Sequence, residues 1–269
     1  EPEHAEVLVN ALKKEGIVFH TPAKTKLIRK TKTGVAIDLE DGTTISGSHL
    51  LVAAGRAPNV NGLELEKAGI DYDRRGIEVS DSLRTSNKRV YAAGDVAKGM
   101  GGLTHAAGYH AGQLIRNFYF SPPFMGDMLG KANTTRMPAA IYSQPELASI
   151  GMTEAEAKKA GHNVRCVSWD FEENDRAIAE RSDHGGVKIV ATTKGKILGA
   201  SIVGESAGEI THMISVAMAN KVKISGLAQI ISPYPTRSEA VKRAASSWYT
   251  DALFSDRTRK LAGFLTKFH

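Results

Sequence analysis

A glycine followed by an aspartate at the end of an apolar segment is suited to holding an anion, and residues 90–107 have that arrangement. Val90, Tyr91, Ala92 and Ala93 read as a short, fully buried strand that stops at Gly94 and Asp95. Glycine lets backbone approach a bulky anion, and the Asp95 carboxylate can accept hydrogen bonds from ligand hydroxyls. A helix is expected to open near Leu103, Thr104 and His105. Its free N–H groups and positive dipole end would then face the strand's carboxyl edge. The same residues also suit an ordinary strand–turn–helix that binds nothing. Lys98-Gly99-Met100-Gly101-Gly102 suggests a phosphate loop but lacks the closing Gly-Lys-Ser/Thr, so a flexible connection is expected there.

The elements that must position these residues fall into three segments. In the first, residues 5–15 make an amphipathic helix with Val7, Leu8 and Leu12 on one side, closed by Gly16. Residues 17–20 follow as a strand. Residues 27–32 and 35–39 pair antiparallel, with Asp41-Gly42 at the next turn, and residues 50–54 form a buried strand ending at Gly55. The second segment holds a short helix at 63–69, a brief strand at 77–79, and then the Gly94-Asp95 motif with its helix to Phe120. Ser121-Pro122-Pro123 and the polar stretch 126–135 form a linker.

From Met137 onward the pattern is that of an α+β unit with an antiparallel sheet. Strands are expected at 139–142, 149–151 and 164–171, with a hairpin of 186–192 and 197–203 around Lys194-Gly195. Thr153 with Glu156 makes a capping box for a helix through Ala160. Ile210, Met213, Ile214, Ala217 and Met218 mark one face of a helix ending near Asn220. Another helix starts within 236–239, and Trp248 and Tyr249 anchor a last one that continues through Leu253, Phe254, Leu261 and Phe264.

Composition bounds the function. The 269 residues are 42% hydrophobic and 24% charged, as in a soluble globular protein. No apolar run reaches the length of a membrane span. Glu1-Pro2-Glu3-His4 is acidic where a secretion signal would be basic. The single cysteine, Cys166, rules out an internal disulfide framework and fits a reducing, cytoplasmic setting; its environment reads as a buried strand. The net charge of +6 comes from dispersed residues, densest at Arg257, Arg259, Lys260 and Lys267, without the interleaved aromatics of nucleic-acid binders. No nucleic-acid partner is therefore expected. Nine histidines occur without HExxH or Cys/His spacing, so no metal site is expected.

Three motifs in order carry a resemblance: Ala53-Ala54-Gly55-Arg56-Ala57-Pro58-Asn59, residues 90–95 with 103–107, and Ile231-Ser232-Pro233-Tyr234-Pro235-Thr236-Arg237-Ser238-Glu239. Together they resemble the class I pyridine nucleotide-disulfide oxidoreductases. Gln144-Pro145-Glu146 and Ile150-Gly151-Met152-Thr153-Glu154 are similar to that family's entry into its interface domain. The resemblance implies α/β remnants of NAD(P)- and FAD-binding domains followed by an α+β dimerisation domain. Residues 1–56 would be the later part of the NAD(P) domain, 57–121 the returning part of the FAD domain, and 122–269 the dimerisation domain. No GxGxxG and no Cys-x-x-x-x-Cys is present, so the chain is expected to be the C-terminal portion of a longer polypeptide, inactive alone. The implied cofactors are FAD and NAD(P)H, and the implied partners are a second copy of the chain and a small-molecule or disulfide acceptor.

By the same resemblance Asp95 would accept from the flavin ribityl chain, with Gly94 allowing close approach to the pyrophosphate. Gly102, Leu103, Thr104 and His105 would present the helix start to the flavin's pyrimidine edge. Gly55 would lie near the nicotinamide. Family members similar to glutathione reductase carry a His at the position of Tyr234, paired with the Glu matching Glu239 and reaching into the other subunit's site. Here Glu239 is present and a phenol replaces the imidazole. With an ordinary pKa near 10, a phenol is a poor base at neutral pH, though it donates a hydrogen bond. Mercuric reductases are similar in carrying Tyr here, but this chain ends Leu265-Thr266-Lys267-Phe268-His269 without their vicinal cysteines. Tyr234 also reads as a packed interface aromatic.

Overall fold

The computed structural model describes residues 1–122, 129–132 and 134–268. The part of the expected linker at 123–128 and 133 lies outside the described residues. Helix α1 (Pro2–Lys14) ends where Gly16 takes φ 93° and its N–H bonds back to the Lys13 carbonyl. Strands β1 (Thr25–Lys30), β2 (Val35–Leu39) and β3 (Thr44–Gly47) form an antiparallel meander in that order. The hairpin β4 (Tyr72–Asp73) and β5 (Gly76–Ile77) precedes a one-turn helix at Gly94–Val96 and then α2 (Thr104–Phe120). Ile77 makes a parallel bridge to Ala97, which sets the hairpin beside the Gly94 turn.

The remaining chain builds a five-stranded antiparallel sheet. In spatial order it runs β6 (Ala139–Ile141), β7 (Glu146–Gly151), β10 (Ile197–Gly204), β9 (Gly186–Thr192) and β8 (Val164–Asp170). Between them, Thr153 and Glu156 form the expected capping box of α3 (Glu154–Lys159), and Asn174 caps α4 (Asp175–Ala179). Helices α5 (Ala207–Ala219), α6 (Ile224–Ala228), α7 (Glu239–Ser247), α8 (Thr250–Leu253) and α9 (Asp256–Leu265) follow. Every residue of β10 is buried, because helices cover both faces of the sheet there. Ala200 and Ile202 share a core with Ile214 of α5 and Val241 of α7. On the opposite face, Ser201 meets α1.

That second contact is polar. His4 Nδ1 lies 2.8 Å from Ser201 Oγ, and Lys188, opposite Ser201 in the sheet, pairs with Glu1, Glu3 and Glu154. Burial alone would lower the Lys188 pKa, but hydrogen bonds to three carboxylates outweigh it and raise it. Hydrogen bonds from Lys158 and Lys188 hold Glu154 down at about 2. Burial pushes the His4 imidazole down to about 4, with Glu3 partly opposing.

Several expectations fail. Residues 17–20 and 50–54 form no strand, and Leu51 and Val52 are 88% and 74% exposed. An apolar segment pairs only where a neighbouring strand offers a ladder, and no described strand lies beside these two. Residues 63–69 make turns, since Glu64 takes φ 50°, although Leu65 is buried. Residues 90–93 are extended but only bridge at Tyr91 to Arg84; Ala92 is buried and Val90 partly so. The last helix, expected from Trp248 through Phe264, is broken into α8 and α9, because Ser255 caps Thr258 and restarts it. Cys166 sits on β8 as expected but is only partly buried.

His4 makes the α1 contact sensitive to pH. The unfolded ring takes up its proton near pH 6.5 and the folded one only near 4, so the unfolded state binds more protons in between. Stability is therefore complete above pH 7 and falls as the pH drops through that window. Urea unfolding should show a loss of at most about 2 kcal/mol between pH 7 and 5 that His4→Gln abolishes.

Candidate functional site

Gly94 takes φ 74°, a left-handed conformation that favours glycine. A Cβ there would stand 3.1 Å from the Ala107 Cβ, so the turn packs directly on α2. The Gly94 N–H donates to Nδ1 of His110 at 3.0 Å, and His110 is fully buried. Burial lowers the His110 pKa, with the Met100 carbonyl partly opposing, so the ring stays neutral and Nδ1 remains an acceptor. Sequence reading passed over His110; a histidine on an apolar helix face carries no sign of which backbone group it will meet.

Beside this joint lies an open groove of about 1050 Å³, lined by Arg56, Asp95, Gly101, Gly102 and the Arg74-Arg75 pair. Leu103 is the extended N-cap of α2, and Thr104 and His105 occupy the first turn, where backbone N–H groups lack helical acceptors. Gly101 approaches the Ala106 side chain so closely that its own Cβ would fall 2.8 Å from it. His105 Nε2 lies 2.8 Å from the Pro138 carbonyl, tying the helix start to the edge of the five-stranded sheet. Gly55, with φ 132°, precedes Arg56, whose Nη1 is 3.9 Å from Asp95 Oδ2. That exposed, long ion pair is weak and leaves the carboxylate free to accept from a ligand.

The structure thus gathers Gly94, Asp95 and Gly102 with the helix start at Leu103, Thr104 and His105. Guanidinium groups, helix-start N–H groups and a hydroxyl-accepting carboxylate suit a ligand with phosphates and sugar-like hydroxyls. FAD has both, and the glycine-lined backbone leaves it room.

Tyr234 and Glu239 do not line this groove. The Tyr234 hydroxyl donates to Asp175 Oδ2 at 2.8 Å, and its pKa is raised by that hydrogen bond. Glu239, which the resemblance makes the partner of residue 234, instead pairs with Arg243 at 2.9 Å. As the first residue of α7 it has Arg243 one turn along the same helix, whereas Tyr234 lies across a turn beside α4. Arg237, between them, is 7% exposed and bonds Glu180, Ser182 and Glu205. Neither Asp175 nor the burial of Arg237 had a local sequence signal. Cys166 is pushed up to about 11 by burial and by Glu154, which makes it a poor nucleophile. Among the described residues no cluster of His, Cys, Asp and Glu could hold a metal ion.

Two family models match, both described as pyridine nucleotide-disulphide oxidoreductase: one over residues 1–111, and the dimerisation domain over residues 137–245. The chain belongs to that family. It is 32% identical to a dihydrolipoyl dehydrogenase of Bacillus subtilis over 91% of this chain and 52% of that protein. It is 33% identical to a mercuric reductase of Streptomyces lividans, over 93% of this chain and 52% of that one. The crystal structure of LpdA from Mycobacterium tuberculosis matches with a TM-score of 0.80 and 28% identity, over 91% of this chain and 52% of that one. The chain spans about half the length of the curated relatives it matches.

The Gly94 joint can be tested by stability. Gly94→Val strains a left-handed residue and crowds Ala107, and should cost about 2 kcal/mol. Gly108→Ala, inside α2 with open space around it, should add about 0.5–1 kcal/mol. Urea titrations of both variants measure the contrast.

Proposed function

We propose that this chain is the C-terminal portion of a homodimeric, FAD-dependent NAD(P)H oxidoreductase, and that it supplies flavin contacts and the dimer interface. The observation that carries this reading is the groove lined by Asp95, Arg56, the Arg74-Arg75 pair and Gly102, the residue just before the N-cap of α2. Members of the family use FAD and NAD(P)H. When bound, FAD supplies hydride acceptance from the nicotinamide and passage of the electrons to an acceptor. In this assignment Asp95 accepts from ribityl hydroxyls and Gly94 admits the pyrophosphate. The first turn of α2, from Leu103 to His105 behind Gly102, stabilises negative charge on the flavin's pyrimidine edge. Gly55 keeps the nicotinamide face clear of a side chain.

The remaining assignments follow the same frame. Residues 1–56 belong to the NAD(P) domain, 57–121 to the FAD domain and 122–269 to the dimerisation domain. The exposed Leu51 and Val52, with Ile17 and Val18, support a missing complement, since such apolar segments are ordinarily covered. Exposed Tyr142, Ile231 and Tyr234 support a dimer surface. A phenol held protonated at residue 234, where glutathione reductase-like members have an imidazole, favours an acceptor other than a disulfide. A single cysteine supports a reducing compartment such as the cytoplasm. No described helix is long and apolar enough to cross a membrane.

The purified chain, by this account, carries no stoichiometric flavin and shows no NAD(P)H-dependent turnover, because groups for the adenosine end of FAD are not in it. Its visible spectrum and a dye-reduction assay measure both. A yellow, turning-over preparation would contradict the proposal.

A further inference from the structure

Three residues of one short stretch of chain bond to the turn that carries Tyr234. Asn174, 3% exposed, donates from Nδ2 to the Thr236 carbonyl at 3.0 Å while its Oδ1 caps α4 through the Ala177 N–H. Asp175 accepts the Tyr234 hydroxyl at 2.8 Å. Glu180, at the end of α4, accepts from the nearly buried Arg237 guanidinium at 2.8 Å. Arg237 is held from the other side by Ser182 and Glu205, so the turn cannot slide along α4 without breaking a charge-assisted bond. The backbone on both sides of the Tyr234–Asp175 contact is thereby fixed, although both side chains are exposed.

We propose that α4 is the positioning element of the Tyr234 turn and that Asp175 is the residue that orients the Tyr234 hydroxyl. This rests on the reading that residue 234 faces a bound acceptor. With its proton directed to Asp175, the hydroxyl turns its lone pairs outward. It meets an incoming group as a hydrogen-bond acceptor, and the matching partner is a group with a hydrogen to donate. Asp175 acts only through Tyr234 and touches no reacting atom itself. Glu239 is engaged by Arg243 and leaves this role to Asp175.

The test uses the whole chain with tyrosine labelled by carbon-13 at Cζ, Tyr234 being assigned through Tyr234→Phe. In the wild type the Tyr234 resonance should titrate above the ordinary phenol value of about 10. Asp175→Asn should bring its midpoint down and move its chemical shift at neutral pH, while Asp175→Glu restores both. Tyr72, hydrogen-bonded to Glu66, should stay unmoved throughout and serves as the control. A resonance that is the same in the wild type and Asp175→Asn overturns the proposal. So does a change that Asp175→Glu fails to restore while its melting temperature matches the wild type. Because the readout needs no flavin, its failure is distinct from a failure of the cofactor reading.

Discussion

The hydrogen bond from the Gly94 backbone to the buried His110 ring is the joint on which the candidate site depends. It ties a turn to a helix 16 residues further on, and it works only while Nδ1 carries no proton. Burial keeps the ring neutral and so preserves the acceptor. The left-handed Gly94 then rests on Ala107, which fixes how far Asp95 stands from the first turn of α2. The contact thus holds a groove-lining carboxylate that accepts from hydroxyls beside the helix whose start favours negative charge. Neither would be selective alone.

The five-stranded sheet has a different physical basis. It is held by apolar packing of α5 against β10 and of α7 against β8 and β9, all in one core, with a polar contact on the reverse face. There, Lys188 brings three carboxylates to one ammonium, and the hydrogen bonds compensate its desolvation. Helix α1 is thus tied to the sheet by these charges as well as by its buried Leu8. His105 makes a second tie, to the Pro138 carbonyl at the entry to β6. That bond connects the start of α2 to the edge of the sheet.

Much of this was legible in the sequence where the signal is local. Thr153 and Glu156 announce a capping box because the bonds that make it span three residues. The β9–β10 hairpin follows from two apolar runs around Lys194-Gly195, where Gly195 with φ 79° closes the turn. The start of α2 was found for the same reason. What failed depends on partners far along the chain or outside it. An apolar run such as Leu50 to Ala54 states that burial is wanted but not which strand provides it. Tyr234 was recognised by its motif, yet its partner Asp175 lies 59 residues away, and the nearer Glu239 is taken by its own helix. Arg237 lay inside the motif, but its burial depends on Glu180 and Glu205, which belong to other turns.

Gly94, Asp95 and the first turn of α2 are proposed to form one face of a flavin site. Titrating FAD into the nitrogen-15-labelled chain and following backbone amide shifts tests this most directly. Weak, saturable shifts are expected to concentrate at Gly94, Asp95 and residues 102–105, and Asp95→Ala should remove them. Shifts confined to other surfaces, or shifts at these amides that persist in Asp95→Ala, would contradict the proposal.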